Sequence, residues 1–504
     1  MNRTDSLNRI RDRRERWDII VIGGGATGVG CALDAASRGY DVLLVEQHDF
    51  GKGTSSRSTK LIHGGVRYLA QGNISLVREG LRERAILLRN APHVVYRQEF
   101  IIPCYGGWQK AKYGFGLKLY DWLAGKFSIG KSRILSRGEV IESLPGVRTN
   151  GLTGGVLYYD AQFDDTRLLI DMARTADIQG ACLLNYSPVT SLMLEGDKVK
   201  GVVFTDAETG DTYTVEAKSV INATGIFCDE LRRMSDPAAK PVVTFAQGSH
   251  LVLDRRFLPS QAALLIPKTS DGRVLFCIPW KEHVLIGTTD TPVDQSAIEP
   301  EAFDSEIDFI LETAGEHLAT KPARDDIKSV FAGIRPLISR TNAKNTSALS
   351  RGHEMFADKS GLITITGGKW TTYRRMAEDA VNQAATIGGI KAVPCVTATL
   401  RIEGTFDQAN TEILHPALRC MSGDVVRAAR VEMARTVEDV LARRTRALFL
   451  NARAAIEMAP KVAQILAAEL GKSKEWTKAQ LGNFGELADR YLAKPHSDKL
   501  KTEN

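Results

Sequence analysis

Three glycines between two apolar segments have the types and spacing needed to bind the phosphates of a dinucleotide. The apolar run 19–22 leads directly into the segment Gly23-Gly24-Gly25-Ala26-Thr27-Gly28, and a small-residue helix pattern and a second apolar run follow. Gly23 allows a tight turn, Gly25 lets the backbone approach a pyrophosphate, and Gly28 lets the helix pack on the strand. Glu46, 18 positions after the last glycine, is placed to bind a ribose 2′-OH. The pattern indicates an adenine dinucleotide site and does not separate FAD from NAD.

A second group of polar residues follows within the next 25 positions. Residues 51–60 form a loop rich in hydroxyl groups, and residues 61–69 contain a Gly-Gly turn surrounded by His63, Arg67 and Tyr68. Hydroxyls and backbone N–H groups suit phosphate and the edges of a flavin. A serine-rich run is more often a polar surface loop, but the density of Gly, His, Arg and Tyr favours a site here.

Two further predicted strands end in small residues, which indicates that the backbone there passes close to a neighbouring group. The predicted strand that begins at Ser219 ends in the small residues Ala223-Thr224-Gly225, and the predicted strand 361–365 leads into Gly367-Gly368-Lys369. The latter is a second glycine turn, and it opens a predicted helix over 373–385.

The elements that must position these residues predict an α/β fold with a Rossmann-type dinucleotide-binding domain, an antiparallel-sheet domain and a C-terminal helical domain. A chain of 504 residues is too long for one core. Strand patterns dominate from about 241 to 350, including 250–253, 274–278 and 284–287, and helical patterns dominate from about 395. The predicted divisions are a basic tail over 1–17, the dinucleotide-binding domain over 18–95, 151–240 and 351–394, the antiparallel-sheet domain over 96–150 and 241–350, and the helical domain over 395–504.

Composition and charge limit the partners without choosing among them. The net charge of +6 and pI of about 8.8 fit anionic substrates, anionic lipid or nucleic acid. The seven cysteines are widely spaced and include no C-x-x-C, so no zinc or iron–sulfur site, and no other metal site, is predicted. Their spacing suits reduced thiols in a cytosolic setting. No apolar run approaches the roughly 20 residues of a membrane span, and the arginine-rich residues 1–17 are expected to form a mobile tail. Any membrane association should be peripheral.

The segment 101–137 combines cations with aromatic rings. It contains seven basic residues, a single acid (Asp121) and seven aromatic residues. Such a segment can be an interfacial membrane contact or a nucleic-acid surface. A helical hairpin with a solvated basic side explains the pattern equally well.

Several motifs in order resemble a known family. They are Gly23 to Gly28, Thr54 to Leu69 (TSSRSTKLIHGGVRYL), Gly248-Ser249-His250, Gly287-Thr288-Thr289-Asp290, Gly333-Ile334-Arg335-Pro336-Leu337 and Gly367-Gly368-Lys369-Trp370-Thr371-Thr372-Tyr373. Together they resemble the bacterial FAD-dependent sn-glycerol-3-phosphate dehydrogenases of the amino-acid-oxidase-like group, over residues 17 to about 490.

The resemblance implies that the Rossmann-type domain is an FAD-binding domain and that the antiparallel-sheet domain is a substrate domain that also contacts the membrane. It also implies an activity, partners and a location. Glycerol 3-phosphate would be oxidised to dihydroxyacetone phosphate, and the electrons would pass through FAD to ubiquinone. Such enzymes are monotopic on the cytoplasmic side of the inner membrane and often homodimeric, with no nucleic-acid partner. Segment 101–137 would then contact anionic lipid. The absence of C-x-x-C favours the single-chain aerobic type over the type that works with an iron–sulfur partner.

The resemblance also assigns residues to the substrate. Because arginine forks suit phosphate, Arg67, Arg335 and Arg351 would bind it together with Lys369, and the hydroxyls of Tyr68 and Tyr373 would add contacts. The proton of the substrate alcohol needs a base that titrates near the working pH, which favours histidine. His250 is the first choice and His63 the second, with catalysis also assigned to Arg335. Either histidine could instead orient substrate or flavin, with arginine or water as the base.

The remaining site residues are assigned to the cofactor. Lys369 would stabilise negative charge at the N1–C2=O region of the reduced flavin. The cofactor would also contact Gly23, Gly25, Gly28, Glu46, Thr54, Ser55, Ser56, Lys60, Leu61, His63, Gly65, Ala223, Thr224, Gly225, Gly367, Gly368 and Thr371.

Two alternative functions remain open. One is a soluble glycerol-3-phosphate oxidase of the same group that gives its electrons to O₂, which has no need of the basic aromatic segment. The other is a non-catalytic module that holds FAD and binds membrane or nucleic acid. Loss of the cationic substrate residues would be expected in that module, and these residues are present.

Overall fold

The computed structural model describes residues 1–66, 69, 72–338, 353–404 and 412–494. Two large sheets lie side by side along these residues, and a helical C-terminal unit packs against the second. This arrangement confirms the predicted fold class.

The first sheet carries the glycine turn. In the described part of the chain it has eight strands, in the order β17-β18-β10-β1-β2-β7, with β8 and β9 attached through β10. The strands of this sheet are β1 (Trp17–Ile22), β2 (Val42–Val45), β7 (Cys182–Leu184), β8 (Val189–Glu195), β9 (Lys198–Thr205), β10 (Thr212–Asn222), β17 (His353–Ala357) and β18 (Ile363–Gly367).

The centre of the first sheet is parallel and covered on both faces, which explains its continuous apolar runs. Ile19 and Val21 face a core formed with three helices, whereas Ile20 and Ile22 face the opposite core. The three helices are α2 (Ala26–Ser37), α6 (Asp165–Ile178) and α9 (Tyr373–Ile387). Strands β9 and β10 form an antiparallel hairpin, and the predicted strand at 361–365 and helix at 373–385 are confirmed.

The second sheet is mostly antiparallel. Among the described residues it has ten strands, in the order β15-β11-β14-β13-β12-β4-β6-β3, with β16 attached to β11 and β5 to β6. Its strands are β3 (Leu61–Ile62), β4 (Val95–Cys104), β5 (Arg133–Leu135), β6 (Gly154–Phe163), β11 (Val243–Asp254), β12 (Ala263–Ile266), β13 (Leu275–Trp280), β14 (His283–Gly287), β15 (Thr291–Val293) and β16 (Ile327–Ile338). The strands predicted at 250–253, 274–278 and 284–287 are therefore confirmed.

Two segments predicted to belong to the FAD domain lie in the second sheet instead. Strand β6 pairs along its whole length with β4, and β3 pairs with β6. The predicted boundaries at 95 and 151 are corrected accordingly. Strand partners are chosen by long-range packing, and a half-buried strand has the same local pattern in either sheet.

The predicted mobile tail is wrong. Helix α1 (Arg3–Asp12) is capped by the side chain of Asn2 and buries Leu7 and Ile10 against the first sheet. Arg3 is buried as well, with a salt bridge of 2.7 Å to Asp206. The apolar face of this helix consists of few residues among many arginines, so the sequence pattern reads as polar.

The segment 101–137 contains an α-helix between two strands rather than a helical hairpin. Helix α3 (Ile74–Asn90) precedes it. Strand β4 leads into α4 (Gly107–Ala124), and the chain returns to the sheet through β5 and α5 (Arg137–Ser143). Among the described residues, no helix combines the length and apolar content needed to cross a membrane.

The C-terminal unit is helical but more broken than its pattern predicts. Two earlier helices pack against the sheets: α7 (Cys228–Ser235) against the first and α8 (Asp304–Gly315) against the second. The C-terminal unit follows the hairpin of β19 (Ile413–His415) and β20 (Leu418–Met421). Its helical segments are α10 (Ser422–Val431), a π-helical segment (Asp439–Arg444), α11 (Ala447–Leu450), α12 (Ala452–Leu470) and α13 (Lys474–Ala488). Helix α12 continues through Pro460.

Candidate active site

A cavity of about 1640 Å³ lies where the carboxyl ends of the first-sheet strands face the second sheet. The residues that follow β1, β2, β10 and β18 all line it, as expected for a ligand site in this kind of sheet. Most of the predicted cofactor residues are brought together on its wall: Gly23, Gly25, Glu46, Thr54, Ser55, Leu61, His63, Gly65, Ala223, Thr224, Gly225, Gly367, Gly368, Lys369 and Thr371.

The first glycine turn is built as the spacing predicts. Gly23 has a φ of +110°, and a Cβ at this position would lie 2.6 Å from the carbonyl oxygen of Ala223. A Cβ on Gly28 would lie 1.9 Å from the carbonyl oxygen of Gly23, so only glycine allows this helix–strand packing. Gly25 is the N-terminal cap residue of α2 and lines the cavity. The turn therefore presents a helix N-terminus and open backbone, which fits a pyrophosphate group.

Glu46 is fixed at the end of β2. Its carboxylate accepts hydrogen bonds from the backbone N–H groups of Gly24 and His48. Burial raises the pKa of Glu46, while these two bonds lower it. The residue lines the cavity, and its contact with a ribose remains a prediction.

Hydrogen bonds tie the glycine turns to each other. The indole N–H of Trp370 donates to the carbonyl of Ser55 at 2.9 Å, and the N–H of His63 donates to the hydroxyl of Thr371 at 3.3 Å. The hydroxyl of Ser55 in turn accepts from the N–H of Ala26 at 2.9 Å. These hydrogen bonds fix the relative positions of the cavity walls that would hold the two ends of a dinucleotide.

The Gly64-Gly65 turn is supported by helix α4. The Tyr120 hydroxyl accepts a hydrogen bond from the N–H of Gly64 at 2.9 Å and donates to the Asp160 carboxylate at 3.0 Å. Arg84 forms a salt bridge of 2.7 Å with the same carboxylate. No sequence pattern indicated this buried network, because it joins four distant segments.

His250 lies in the wall formed by the second sheet. Its Nε2 is 2.9 Å from the hydroxyl of Thr59, and its ring stacks on Phe331, its cross-strand partner, at 4.9 Å. Burial lowers the pKa of His250 well below its usual value, and the charges of Lys60 and Arg335 lower it further. The imidazole is therefore neutral at physiological pH, and its pKa lies below that expected of a base that titrates near the working pH.

Arg335 lies on β16, next to the strand that carries His250. Its guanidinium donates to the carbonyl of Thr289 and the carboxylate of Asp290, both at 3.1 Å, and to the hydroxyl of Thr288 at 3.0 Å. Gly248 lies directly against it, since a Cβ there would be 2.1 Å from Nη2. The side chain is 27% exposed and lines the cavity. It is a positioned cation that a phosphate can reach.

Arg57 is a cavity residue that the sequence interpretation missed. It forms a salt bridge of 2.6 Å with Glu299 and donates to the hydroxyl of Tyr491 at 3.0 Å. It also lines the cavity together with Arg335. The sequence feature that could have indicated Arg57 is its position as the one arginine within the hydroxyl-rich loop 51–60.

Two residues of the same loop are corrected. The Ser56 hydroxyl donates to the carbonyl of Gly51, and the Lys60 ammonium forms a salt bridge of 2.6 Å with Asp165. Neither side chain is among those that line the cavity. Both were predicted to contact the cofactor because they belong to a polar loop, but they form the layer behind its wall.

The other predicted substrate residues have different outcomes. Arg67, Tyr68 and Arg351 lie outside the described residues. Tyr373 lines the cavity, but its ring packs against Gly30 of α2, within the core of the first sheet. Lys369 lines the cavity at the second glycine turn.

The cavity wall also has an apolar part, which we call the apolar arm. It includes Phe100 and Ile102 of β4, Leu265 of β12, Phe276 of β13 and Leu117 of α4. The arm therefore runs between the second sheet and the helix that carries the basic aromatic segment. No group of three His, Cys, Asp or Glu residues that could hold a metal ion occurs in the described ranges.

Family models match most of the chain. Residues 18–374 match the model described as FAD dependent oxidoreductase, and residues 394–478 match the model described as the C-terminal domain of alpha-glycerophosphate oxidase. The chain is 38% identical over 546 residues to the mitochondrial glycerol-3-phosphate dehydrogenase of Rattus norvegicus, covering 97% of this chain and 74% of that protein.

Solved structures are similar over the same range. The glycerol-3-phosphate dehydrogenase from Bacillus halodurans, solved in complex with FAD, has a TM-score of 0.78 and 29% identity, covering 97% of each chain. The L-alpha-glycerophosphate oxidase from Mycoplasma pneumoniae, with FAD bound, has a TM-score of 0.59 and 16% identity, covering 78% of this chain and all of the other. The second likeness is one of fold alone.

Proposed function

We propose that this chain, which belongs to the family of FAD-dependent glycerol-3-phosphate dehydrogenases, oxidises sn-glycerol 3-phosphate to dihydroxyacetone phosphate. The electrons would pass to ubiquinone at the cytoplasmic side of the inner membrane. One observation carries the proposal for the substrate. A neutral, buried His250 and a positioned Arg335 lie on adjacent strands of one wall of the dinucleotide cavity.

The cations of this wall suit a phosphate. Arg335 and Arg57 line the cavity, and their guanidinium groups are held by Asp290 and Glu299. Fixed guanidinium forks can bind two phosphate oxygens with little loss of side-chain entropy. The phosphate would therefore be bound at this wall and would orient the glycerol backbone toward the flavin ring.

His250 would then act on the alcohol. The residues that line this cavity would hold FAD, which would supply the acceptor for the hydride that leaves C2 of the substrate. The proton of the C2 hydroxyl would pass to the imidazole, which is neutral because burial and two nearby cations disfavour its charged form. Lys369, at the second glycine turn, would place its positive charge near the reduced ring.

The exposed face of α4 supports a membrane contact. Trp108, Phe115 and Trp122 are 81%, 76% and 70% exposed. They are spaced seven residues apart, so they form one stripe along the helix. Lys112 lies on the same helix, and Leu117 and Tyr120 face the core. Large exposed rings with nearby cations are typical of helices that lie in the headgroup region of an anionic membrane.

The apolar arm supports a lipid-soluble acceptor. It includes Leu117 of the same helix that exposes the aromatic stripe. An acceptor that enters from the membrane would need an apolar path to the flavin, whereas O₂ needs none. This difference favours quinone reduction over the soluble oxidase as the function.

A variant of the aromatic stripe tests the membrane part of this proposal. Replacing Trp108, Phe115 and Trp122 by Ser should lower binding to vesicles of phosphatidylethanolamine and phosphatidylglycerol by about tenfold or more. Reduction of a water-soluble dye should persist, because none of the three rings lines the cavity. Co-sedimentation gives the binding, and reduction of a short-chain ubiquinone in the vesicles gives the coupled activity.

A matched control removes exposed apolar side chains from other elements. Ile178, Leu194 and Ile413 are 61%, 47% and 61% exposed and can be changed to Ser together. This variant should bind vesicles like the unmodified protein. Equal binding by both triple variants would refute the role of α4. Rapid H₂O₂ formation in air, with no reduction of quinone, would instead support the oxidase.

A further inference from the structure

Two buried cations share one carboxylate behind the wall that carries His250. The ammonium of Lys60 is 2.6 Å from Oδ2 of Asp165 and donates to the carbonyl of Ser56 at 3.0 Å. The guanidinium of Arg446 donates to the same carbonyl at 2.7 Å and is 3.4 Å from Oδ1 of Asp165. All three charged side chains are completely buried. The proposed reaction does not use any of them directly.

This cluster fixes the loop that contacts His250. Asp165 also accepts hydrogen bonds from the N–H and the hydroxyl of Ser58, at 3.2 and 2.7 Å. Thr59 therefore lies between two residues that the same carboxylate holds. Its hydroxyl is the group that lies 2.9 Å from Nε2 of the imidazole.

The C-terminal unit packs against the same group of buried residues from the other side. Phe331, which stacks on His250, contacts the ring of Phe449 at 4.8 Å. The guanidinium of Arg446 lies 4.0 Å from the centre of that ring, and the ammonium of Lys60 lies 5.2 Å from the centre of Phe331. Helix α11 thus contributes an aromatic ring and the residue before it a cation to the support of the site.

We propose that Lys60, held by Asp165 and Arg446, is a positioning residue for the reaction. It keeps the Thr59 hydroxyl at Nε2 of His250 and places a positive charge behind the imidazole. The C-terminal unit supports this arrangement through the contacts of Arg446 with Asp165 and the Ser56 carbonyl. This inference rests on the proposed function, because it requires His250 to be the group that accepts the substrate proton.

The charges around His250 set the direction in which its pKa should change when Lys60 is replaced. Lys60 and Arg335 both disfavour the imidazolium, and each is paired with a carboxylate, Asp165 and Asp290. Burial and Arg446 lower the pKa of Lys60 to about 7, so its ammonium is charged in the acid range where His250 would gain a proton. Removing that charge raises the pKa of His250. Activity that needs a neutral imidazole should then be lost at a higher pH.

The pH dependence of flavin reduction tests this role. Anaerobic stopped-flow reduction by glycerol 3-phosphate is measured across the acid range for Lys60→Met and Lys60→Arg. The Met variant should move the acid limb upward by roughly 0.5–1 pH unit, and the Arg variant, which keeps the charge, should restore it. A slower Met variant with an unmoved acid limb would overturn the proposal and leave Lys60 a structural role.

A control variant separates positioning from general damage. Arg38→Met breaks another fully buried salt bridge, to Asp34 within α2, in the core of the first sheet. It should lower thermal stability without moving the acid limb. Movement of the limb by the same amount in this variant would also overturn the proposal.

A second pair of variants covers the case in which Lys60→Met does not fold. Thr59→Val removes the hydroxyl at a partly exposed position with little change of shape, and Thr59→Ser keeps it. Reduction should slow by about tenfold or more in the Val variant and recover in the Ser variant. Equal rates for Val and the unmodified protein would refute the positioning of His250. A flavin of the unmodified protein that glycerol 3-phosphate does not reduce would refute the proposed function instead.

Discussion

A methyl group at position 248 should displace the guanidinium that we assign to the substrate phosphate. A Cβ on Gly248 would lie 2.1 Å from Nη2 and 2.6 Å from Cζ of Arg335. Ordinary contact between such atoms needs about 3.5 Å, so the guanidinium must move by more than about 1 Å. The hydrogen bonds of 3.0–3.1 Å to Thr288, Thr289 and Asp290 would then lengthen past a useful distance.

The size of the effect follows from the bond that is lost. One misplaced charge-assisted hydrogen bond to phosphate costs about 1.5–3 kcal/mol, which is roughly a 10- to 100-fold loss of kcat/KM. Arg335→Lys should lose a similar amount, because an ammonium is a single point charge and cannot replace the fork. The double variant should be little worse than either single variant, since both remove the same interaction.

Dye-coupled kinetics with two substrates isolates this contact. The loss should be large with glycerol 3-phosphate and much smaller with glycerol, which has no phosphate to bind. Gly482→Ala is the control, because a Cβ there meets no atom within 4 Å. Unchanged kcat/KM in Gly248→Ala, or equal losses on both substrates, would refute the reasoning. Arg335 would then act at the reacting carbon or the flavin, and the assignment of the base to His250 would have to be reopened.

Two further variants test the cofactor site and the anchoring of the C-terminal unit. Gly25→Val should abolish FAD binding, measured as flavin absorbance of the purified protein, because its Cβ would already lie 3.2 Å from the Ser55 hydroxyl and a larger side chain fills the pyrophosphate approach; full flavin content would contradict this. Asp49→Asn should lower the free energy of unfolding by about 1.5–3 kcal/mol, since it removes the carboxylate that Arg443 and Arg444 share, whereas Arg443 keeps Glu438 and Asp439 and Arg444 keeps Glu432. Although burial alone would raise the pKa of Asp49, Arg444 and Arg443 lower it to about 2. The ionised Asp49 therefore stabilises the fold above pH about 4, which is the pKa of an aspartate in the unfolded chain, and this stabilisation is lost as the pH falls toward 2. The melting temperature of the variant should therefore depend less on pH in the acid range. An unchanged melting temperature at neutral pH would contradict the role of Asp49.

The parts of the site that were predictable are those whose chemistry is local. The requirement for glycine at 23 and 28 is set by neighbours in the adjacent turn and strand, so the spacing alone was sufficient. The parallel strands around this turn were also readable, because burial on both faces leaves continuous apolar runs.

The parts that were missed depend on contacts far apart in sequence. Ser56 accepts a hydrogen bond from Arg446, 390 positions away, and no local pattern distinguishes such a support residue from a ligand contact. The polar loop was therefore assigned wholly to the cofactor, although Lys60 faces the core. For the same reason the arginines of α1 concealed a docked helix, and the partner sheet of β6 could not be chosen.

Anaerobic reduction of the bound flavin tests the central claim most directly. The purified protein is titrated in separate experiments with glycerol 3-phosphate, other 2-hydroxy phosphates, glycerol and 2-amino acids, and the flavin absorbance is followed. A wall with Arg335, Arg57 and a neutral His250 predicts rapid and complete bleaching by glycerol 3-phosphate, much slower bleaching by glycerol, and none by amino acids. Bleaching by an amino acid with no response to glycerol 3-phosphate would contradict the assignment of both the substrate and the site.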